Sequence, residues 1–382
     1  MPKKSLTSLK VALVHDYLKE WGGAELVLEN LSDLFPSSKI YTTLYLPSFL
    51  GPHAARLQKK WQGRIQTSFF QKIPLARKLI SPLRLLSPLA FLLWDFSAYD
   101  LLITSATGAY FPNLIRSRGP AKKPLHLCYC HTPPRYLYGL PTARSLKKYP
   151  LLNSLATFIN FFLRRLDYLS AQKVDYFIAN SQTVADRIHR FYGKKAVIIN
   201  PPVPLASTKP LNLKRESFYL AGGRLARAKR YDLAIKACSK LNLPLKIFGR
   251  DFAGYQKELE SLAGPQVEFL GEISNQKKKE LFSTCKAYLF TSDNEDFGIV
   301  SLEAQACGAP VVASAIGGGG ETVLDAQTGV LFPKMTASSV ASALRRLQGL
   351  KISSSACRAH ARNYTPQAFQ EKIKNFILSV YS

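Results

Sequence analysis

The feature that most constrains this chain is an alternation. Short apolar runs are each followed by a turn and then by a segment with helical spacing. In the first half the runs are Lys10–Val14, Leu101–Thr104, Leu125–Cys130, Tyr176–Ala179 and Ala196–Ile199. In the second they are Phe218–Ala221, Leu245–Phe248, Val267–Leu270, Ala287–Phe290 and Val311–Ala313. A strand apolar at every position is covered on both faces, which is how parallel sheets read. Between the runs lie helical patterns such as AELVLENLSDLF, LLNSLATFINFFLRRLDYLSAQ and SQTVADRIHRFY, with Ser181 placed to cap the last. The pattern predicts doubly wound α/β domains, with ligands outside the carboxyl ends of the strands.

At 382 residues the chain is long for one domain. Asn200–Ser217 is rich in Pro and Ser and has little periodicity, so it reads as a linker. This divides the chain into an N-terminal domain at 1–200, a linker at 201–217, a C-terminal domain at 218–364 and an amphipathic helix at 365–382. Two such domains on one linker are expected to face each other across a cleft, a usual place for a small-molecule site.

Charge narrows the partners. The chain has 52 Lys and Arg against 25 Asp and Glu, a net +27, which calls for something anionic: nucleic acid, phospholipid or phosphorylated metabolite. From Leu34 to Leu166 the only acids are Asp95 and Asp100, so the excess belongs mainly to the first half. The six cysteines form no CxxC pair and read as buried free thiols in a reducing cytosol. The opening MPKKSLTSLKVALVHDY has too short an apolar run for a signal peptide, and residues 151–163 fall short of a membrane span.

Two segments carry the chemistry. In DNEDFGIVSLEAQACG, Glu295 lies on the loop after a strand and Glu303 lies in the following helix. The helix start near Phe297–Ile299 offers free N–H groups and a positive dipole end suited to a phosphate. Carboxylates beside such a site make sense as acceptors from sugar or ribose hydroxyls; by spacing alone they read more readily as dipole-stabilising residues. In AGGRLARAKR, Arg224 and Lys229 sit at the same sheet edge, where two cations can neutralise a diphosphate, or simply form a solvated turn.

Together these segments resemble the retaining GT-B glycosyltransferases of glycosyltransferase family 4. Glu295 and Glu303 have its E-x7-E spacing, and Arg224 and Lys229 match its R-x4-K element. VALVHDYLKEWGGAELVLENL and CYCHTPPRYLYG look like a mannosyltransferase-type subgroup from bacterial surface-polysaccharide synthesis. The likeness covers nearly the whole chain, with the motifs in order.

The resemblance implies a GT-B fold and transfer of a hexose from a nucleotide-sugar, GDP-mannose being the leading donor, to a lipid-linked or polysaccharide acceptor. It implies that Arg224 and Lys229 hold the donor diphosphate, with Gly22 and Gly23 letting a first-domain loop approach it. Glu295, with backbone N–H groups around Phe297 and Gly298, would hold the hexose, and Glu303 the ribose. His131, at the end of the run Leu125–Cys130, matches the family's active-site histidine. Same-face transfer needs no protein nucleophile, and none is evident. Asp293-Asn294-Glu295 looks like a DxD metal site, but GT-B enzymes generally need no divalent ion, so no metal and no cofactor are expected. Gly318–Gly320 before Glu321 give GGGGE where the family often has G-G-x-x-E.

Phe69–Trp94 mixes Lys72, Arg77, Lys78 and Arg84 with bulky apolar residues and no acid until Asp95, and Pro74, Pro82 and Pro88 break it into short pieces. Such segments bind anionic membrane interfaces at about 1 kcal/mol per cation near the surface, or cover a core with snorkelling cations. The expectation is a cytoplasmic protein, peripheral at the inner membrane face. A nucleic-acid-binding protein is the rival suggested by charge, but no RNA or DNA motif is present. Another GT-B enzyme, such as a sugar-nucleotide epimerase, is the rival suggested by fold. A nicotinamide dehydrogenase lacks its G-x-G-x-x-G after the first strand.

Overall fold

A computed structural model describes residues 6–116, 123–142, 150–204 and 213–381. The chain divides into two compact units. The first holds most of the chain up to Pro202 together with a returning C-terminal segment, and the second holds Val203–Thr365. Of the predicted linker, residues 205–212 lie outside the described residues. Val203 is not linker in character: it is buried against Phe297 and Leu302 of the second unit, and its N–H donates to the Tyr364 carbonyl at 2.7 Å.

The first unit runs β1 (Val11–His15), α1 (Gly23–Leu34), β2 (Lys39–Thr42), α2 (Ala54–Lys60), β3 (Ile65–Thr67), α3 (Ile80–Leu83), α4 (Ser87–Leu92), β4 (Leu101–Ala106), β5 (Leu125–Cys130), α5 (Pro150–Gln172), β6 (Tyr176–Ala179), α6 (Gln182–Tyr192) and β7 (Ala196–Ile198). Among the described residues its strands form a parallel sheet in the order β3-β2-β1-β4-β5-β6-β7. The second unit runs β8 (Tyr219–Gly222), α7 (Tyr231–Lys240), β9 (Leu245–Phe248), α8 (Tyr255–Glu260), β10 (Val267–Gly271), α9 (Asn275–Thr284), β11 (Ala287–Phe290), α10 (Ile299–Ala306), β12 (Val311–Ser314), α11 (Gly318–Thr322), β13 (Gly329–Phe332), α12 (Ala337–Gln348) and α13 (Ser354–Ala361). Its sheet is also parallel, in the order β10-β9-β8-β11-β12-β13. Each order reverses once, between β1 and β4 and between β8 and β11, and a reversal opens a crevice at the carboxyl ends of those strands.

Both sheets are covered on both faces, and this is why the central strands are mostly apolar. In β1, Val11 and Leu13 join one buried cluster while Ala12 and Val14 join another across the sheet. Tyr219 and Ala221 likewise face one core, and Phe218 and Leu220 the other. Three strands escape the sequence reading. β2 and β3 are short and of mixed polarity, with β3 at a sheet edge, and β13 is an edge strand that begins on glycine. Pro82 and Pro88 lie inside α3 and α4 and not between them; Pro88 sits in the first turn, where its missing N–H has no helical partner to lose. Ser181 caps α6 as expected, accepting from the Val184 N–H at 3.1 Å, and Gly193 closes the helix in the left-handed region. All six cysteines are free and buried.

The last helix, α14 (Pro366–Val380), returns to the first unit. Phe369, Ile373 and Ile377 recur every four residues and are buried with Val27 and Leu31 of α1. Among the described residues no helix is long and apolar enough to cross a membrane.

Helix α5 is tied down by a buried carboxyl. Asp167 Oδ2 accepts from the phenols of Tyr138 at 2.8 Å and Tyr192 at 2.9 Å. Burial raises its carboxyl from 3.8 to about 7, against the opposing pull of the two phenols. A folded-state value above the unfolded one gives stability that is fully present below about pH 4 and lost as pH rises through about 7. Asp167→Asn removes this titration, so its urea midpoint should fall less than the parent's between those limits. Parallel midpoint-versus-pH curves for the two proteins would show that Asp167 does not titrate there.

Candidate active site

At the switch point of the second sheet, the loops after β8 and β11 are joined. Thr291 Oγ1 donates to the Lys229 carbonyl at 2.9 Å, and the Asp293 N–H donates to the Ala228 carbonyl at 2.8 Å. Tyr288, buried in β11, donates from its phenol to the Gly222 carbonyl at 2.7 Å. This backbone stitching brings Lys229 Nζ to 2.5 Å from Glu295 Oε2, with both side chains less than a third exposed. Two residues read separately from the sequence therefore form one ion pair. Arg224 is on the same β8 loop, and its guanidinium lies over the Phe252 ring, 5.6 Å from the centroid.

Gly298 caps α10 at a φ of +93°, where a Cβ would also press on the Phe290 ring at 2.8 Å. The Phe297 side chain is core: it is buried beside Val203 and Leu302. Only the backbone of Phe297 and Gly298 is thus available at the helix start. Glu303, further along α10, already has a partner in Lys278 Nζ of α9 at 3.1 Å. The sequence reading missed Lys278, since the pairing depends on how α9 packs against α10.

A third loop closes the group. The glycine run is Gly317–Gly320, so with Glu321 it does satisfy G-G-x-x-E, with glycines in the two open places. The Gly318 N–H donates to the Glu295 carbonyl at 2.8 Å, and a Cβ on Gly318 would fall inside the backbone of Phe297. Gly317, at a φ of +77°, would place one 2.9 Å from the Glu295 carbonyl. The β12 loop therefore braces the Glu295–Phe297 backbone from behind, at contact distances only glycine permits.

At the switch point of the first sheet, β1 and β4 pair His15 with Ser105. His15 Nδ1 lies 3.1 Å from Ser105 Oγ, and that oxygen lies 2.9 Å from Nε2 of His131, just past β5. His15 Nε2 faces Glu25 Oε1 of α1 at 3.7 Å. Burial, with a smaller contribution from His15, lowers the His131 imidazolium to about 3, so His131 is neutral in the ordinary pH range. The single hydroxyl proton of Ser105 can serve only one of the two rings at a time, so their tautomers are linked. Asp16, next to His15, accepts from the N–H groups of Thr107 at 3.0 Å and Ala109 at 3.2 Å and from the Thr107 hydroxyl; burial raises its carboxyl pKa. Gly22 has extended backbone that any residue adopts, so its smallness matters for space: a Cβ would lie 3.3 Å from Glu25 Oε2. Gly23 opens α1. The sequence reading found His131 and the glycine pair but not the chain linking Glu25, His15 and Ser105 to His131. A polar His15-Asp16 pair ending a buried strand was the available signal.

Residues 21–207 match the model of Glycosyltransferase Family 4, and residues 206–373 match that of Glycosyl transferases group 1. The chain belongs to the GT-B glycosyltransferases of this type. Among curated relatives, the D-inositol 3-phosphate glycosyltransferase of Actinosynnema mirum is 29% identical over 205 residues, covering 46% of this chain and 49% of the relative. That of Stackebrandtia nassauensis is 32% identical over 173 residues, covering 41% of this chain and 39% of the relative. The chain matches about half the length of these relatives or less. Among solved structures, the sucrose-phosphate synthase of Thermosynechococcus elongatus superposes with a TM-score of 0.72 at 17% identity, covering 97% of this glycosyltransferase and 99% of the other chain. HepE of Anabaena, in complex with UDP and glucose, gives 0.67 at 18% identity, covering 97% and 100%. At these identities the likeness is one of fold: α/β, with two Rossmann-like parallel-sheet domains.

Proposed function

We propose that this chain moves a hexose, with retention, from a nucleoside-diphosphate donor to a lipid-linked or polysaccharide acceptor. The observation that carries the reading is the Lys229–Glu295 pair beside the amide end of α10, at a switch point. A cation and helix N–H groups suit a diphosphate, and a carboxylate suits sugar hydroxyls. The acceptor oxygen attacks the anomeric carbon as the bond from that carbon to the phosphate oxygen breaks. The electron pair leaves with the diphosphate, which takes the acceptor's proton. Lys229 and Arg224 stabilise the charge that develops on the leaving group. Glu295 and the backbone of Phe297 and Gly298 hold the hexose, and Glu303, shared with Lys278, accepts from the ribose. His131 stays neutral and is available as a hydrogen-bonding group at the switch point of the first sheet.

The donor we propose is GDP-mannose, on the resemblance carried by VALVHDYLKEWGGAELVLENL and CYCHTPPRYLYG. The HepE structure holds UDP and glucose, so the base is the point to test. Thermal unfolding with GDP or UDP should show stabilisation by GDP, since a ligand that binds only the folded state raises its melting temperature. Stabilisation by UDP alone would move the donor to the uridine class. Arg224→Ala should lose the nucleotide effect, whereas Glu295→Ala should keep much of it and lose turnover. Full turnover in both variants would remove the site.

A further inference from the structure

Helix α5 carries an apolar stripe wider than the face it buries. Ile159, Leu163 and Leu166 turn into a core shared with Leu83 and Phe91. On the adjoining flank Leu155, Phe158, Phe162 and Leu169, at steps of three, four and seven residues, stay in solvent, with Phe158 63% and Phe162 57% exposed. A surface helix needs an apolar stripe only as wide as the core it covers; an exposed extension that carries aromatics marks a contact surface.

The basic segment 69–94 adjoins it. Arg84 of that segment stacks over the Tyr136 ring at 3.8 Å, and Arg164 of α5 donates to the neighbouring Leu137 carbonyl at 2.8 Å. Both elements therefore grip one turn, which follows His131 by a few residues. Leu75, Leu89 and Leu93 of the segment are all more than half exposed, among Lys72, Arg77 and Lys78. Segment 69–94 has no acid, and the one acid of α5, Asp167, is buried and bonded.

We infer that the exposed flank of α5 and the segment 69–94 form one docking surface for an anionic lipid bilayer. Aliphatic and aromatic side chains enter the acyl boundary while the lysines and arginines meet anionic headgroups. A second copy of this chain would set like charges against each other, and a nucleic acid would leave the leucines uncovered. The inference deepens the proposed lipid-linked acceptor by supplying its surface, beside the strand end that presents His131. Vesicle binding without any sugar tests it apart from that reading.

The experiment is co-sedimentation with phosphatidylglycerol-rich vesicles and with phosphatidylcholine vesicles, for the parent, Phe158→Ser/Phe162→Ser and Lys72→Glu/Lys78→Glu. The parent should sediment with the anionic vesicles at low salt and be released at high salt. Each double variant should bind about tenfold more weakly, because apolar area and charge both contribute, while its thermal stabilisation by nucleoside diphosphate is unchanged. Parent protein left in the supernatant, equal binding to both vesicle types, or undiminished binding by the α5 variant would overturn the inference. So would a parent dimer in sedimentation velocity that the α5 substitutions dissolve. Loss of the nucleotide effect with vesicle binding intact would count against the transfer reading alone.

Discussion

Lys229→Ala should lower kcat/KM for the nucleotide-sugar by about 100- to 1,000-fold, the usual effect of removing one group aimed at developing charge. The ammonium is held at the switch point by its partner Glu295 and by its own carbonyl, which accepts from Thr291. The substitution therefore removes a positioned cation and leaves the loop's backbone bonds in place. Stabilisation by nucleoside diphosphate should fall with it; at a ligand concentration of 100 times Kd that stabilisation is about 2.7 kcal/mol. Glu295→Gln in the same protein should add less than it does alone, because the two side chains form one pair. A variant of parental activity and lower stability would make Lys229 a structural residue.

Gly318→Ala should be nearly as damaging, although its side chain is only a methyl group. That carbon would overlap the Phe297 backbone, and backbone cannot rotate aside as a side chain can. Relief requires moving the Glu295–Phe297 strip, whose Glu295 carbonyl also accepts from the Gly318 N–H. We expect a stability loss of about 1–3 kcal/mol, as for overpacking elsewhere, and a fall in turnover of about 100-fold from misplacement by an ångström. Gly349→Ala is the control, since its Cβ would meet the Arg346 carbonyl at an ordinary 3.6 Å. Equal melting temperatures and equal rates for Gly318→Ala and the parent would show that the β12 loop does not hold the Glu295 loop.

Central strands could be read from the sequence because each is buried on both faces. Leu125–Cys130, Tyr176–Ala179, Leu245–Phe248 and Ala287–Phe290 were read with the bounds the structure gives them. Short strands of mixed polarity could not: Ile65–Thr67 is half-buried and carries a glutamine, and Lys39–Thr42 opens on an exposed lysine, whereas the edge runs Ala196–Ile199 and Val267–Leu270 were apolar enough to read. The same division runs through the candidate site. Arg224, Lys229, Glu295 and Glu303 fall in local motifs, so their positions on loop and helix follow from neighbouring residues. The contact of His15 with Ser105 spans 90 positions and exists only because β1 lies against β4 in one register. Lys278 reaches Glu303 for a similar reason. Long-range pairings of this kind leave no spacing to find.

The return of α14 makes the first folding unit discontinuous in the gene. An excised fragment ending at Pro202 would lack Phe369, Ile373 and Ile377 and would leave a greasy socket on α1 open to water. Swapping second domains between relatives thus needs two splice points, near Pro202 and near Pro366, with the native tail kept on its own partner.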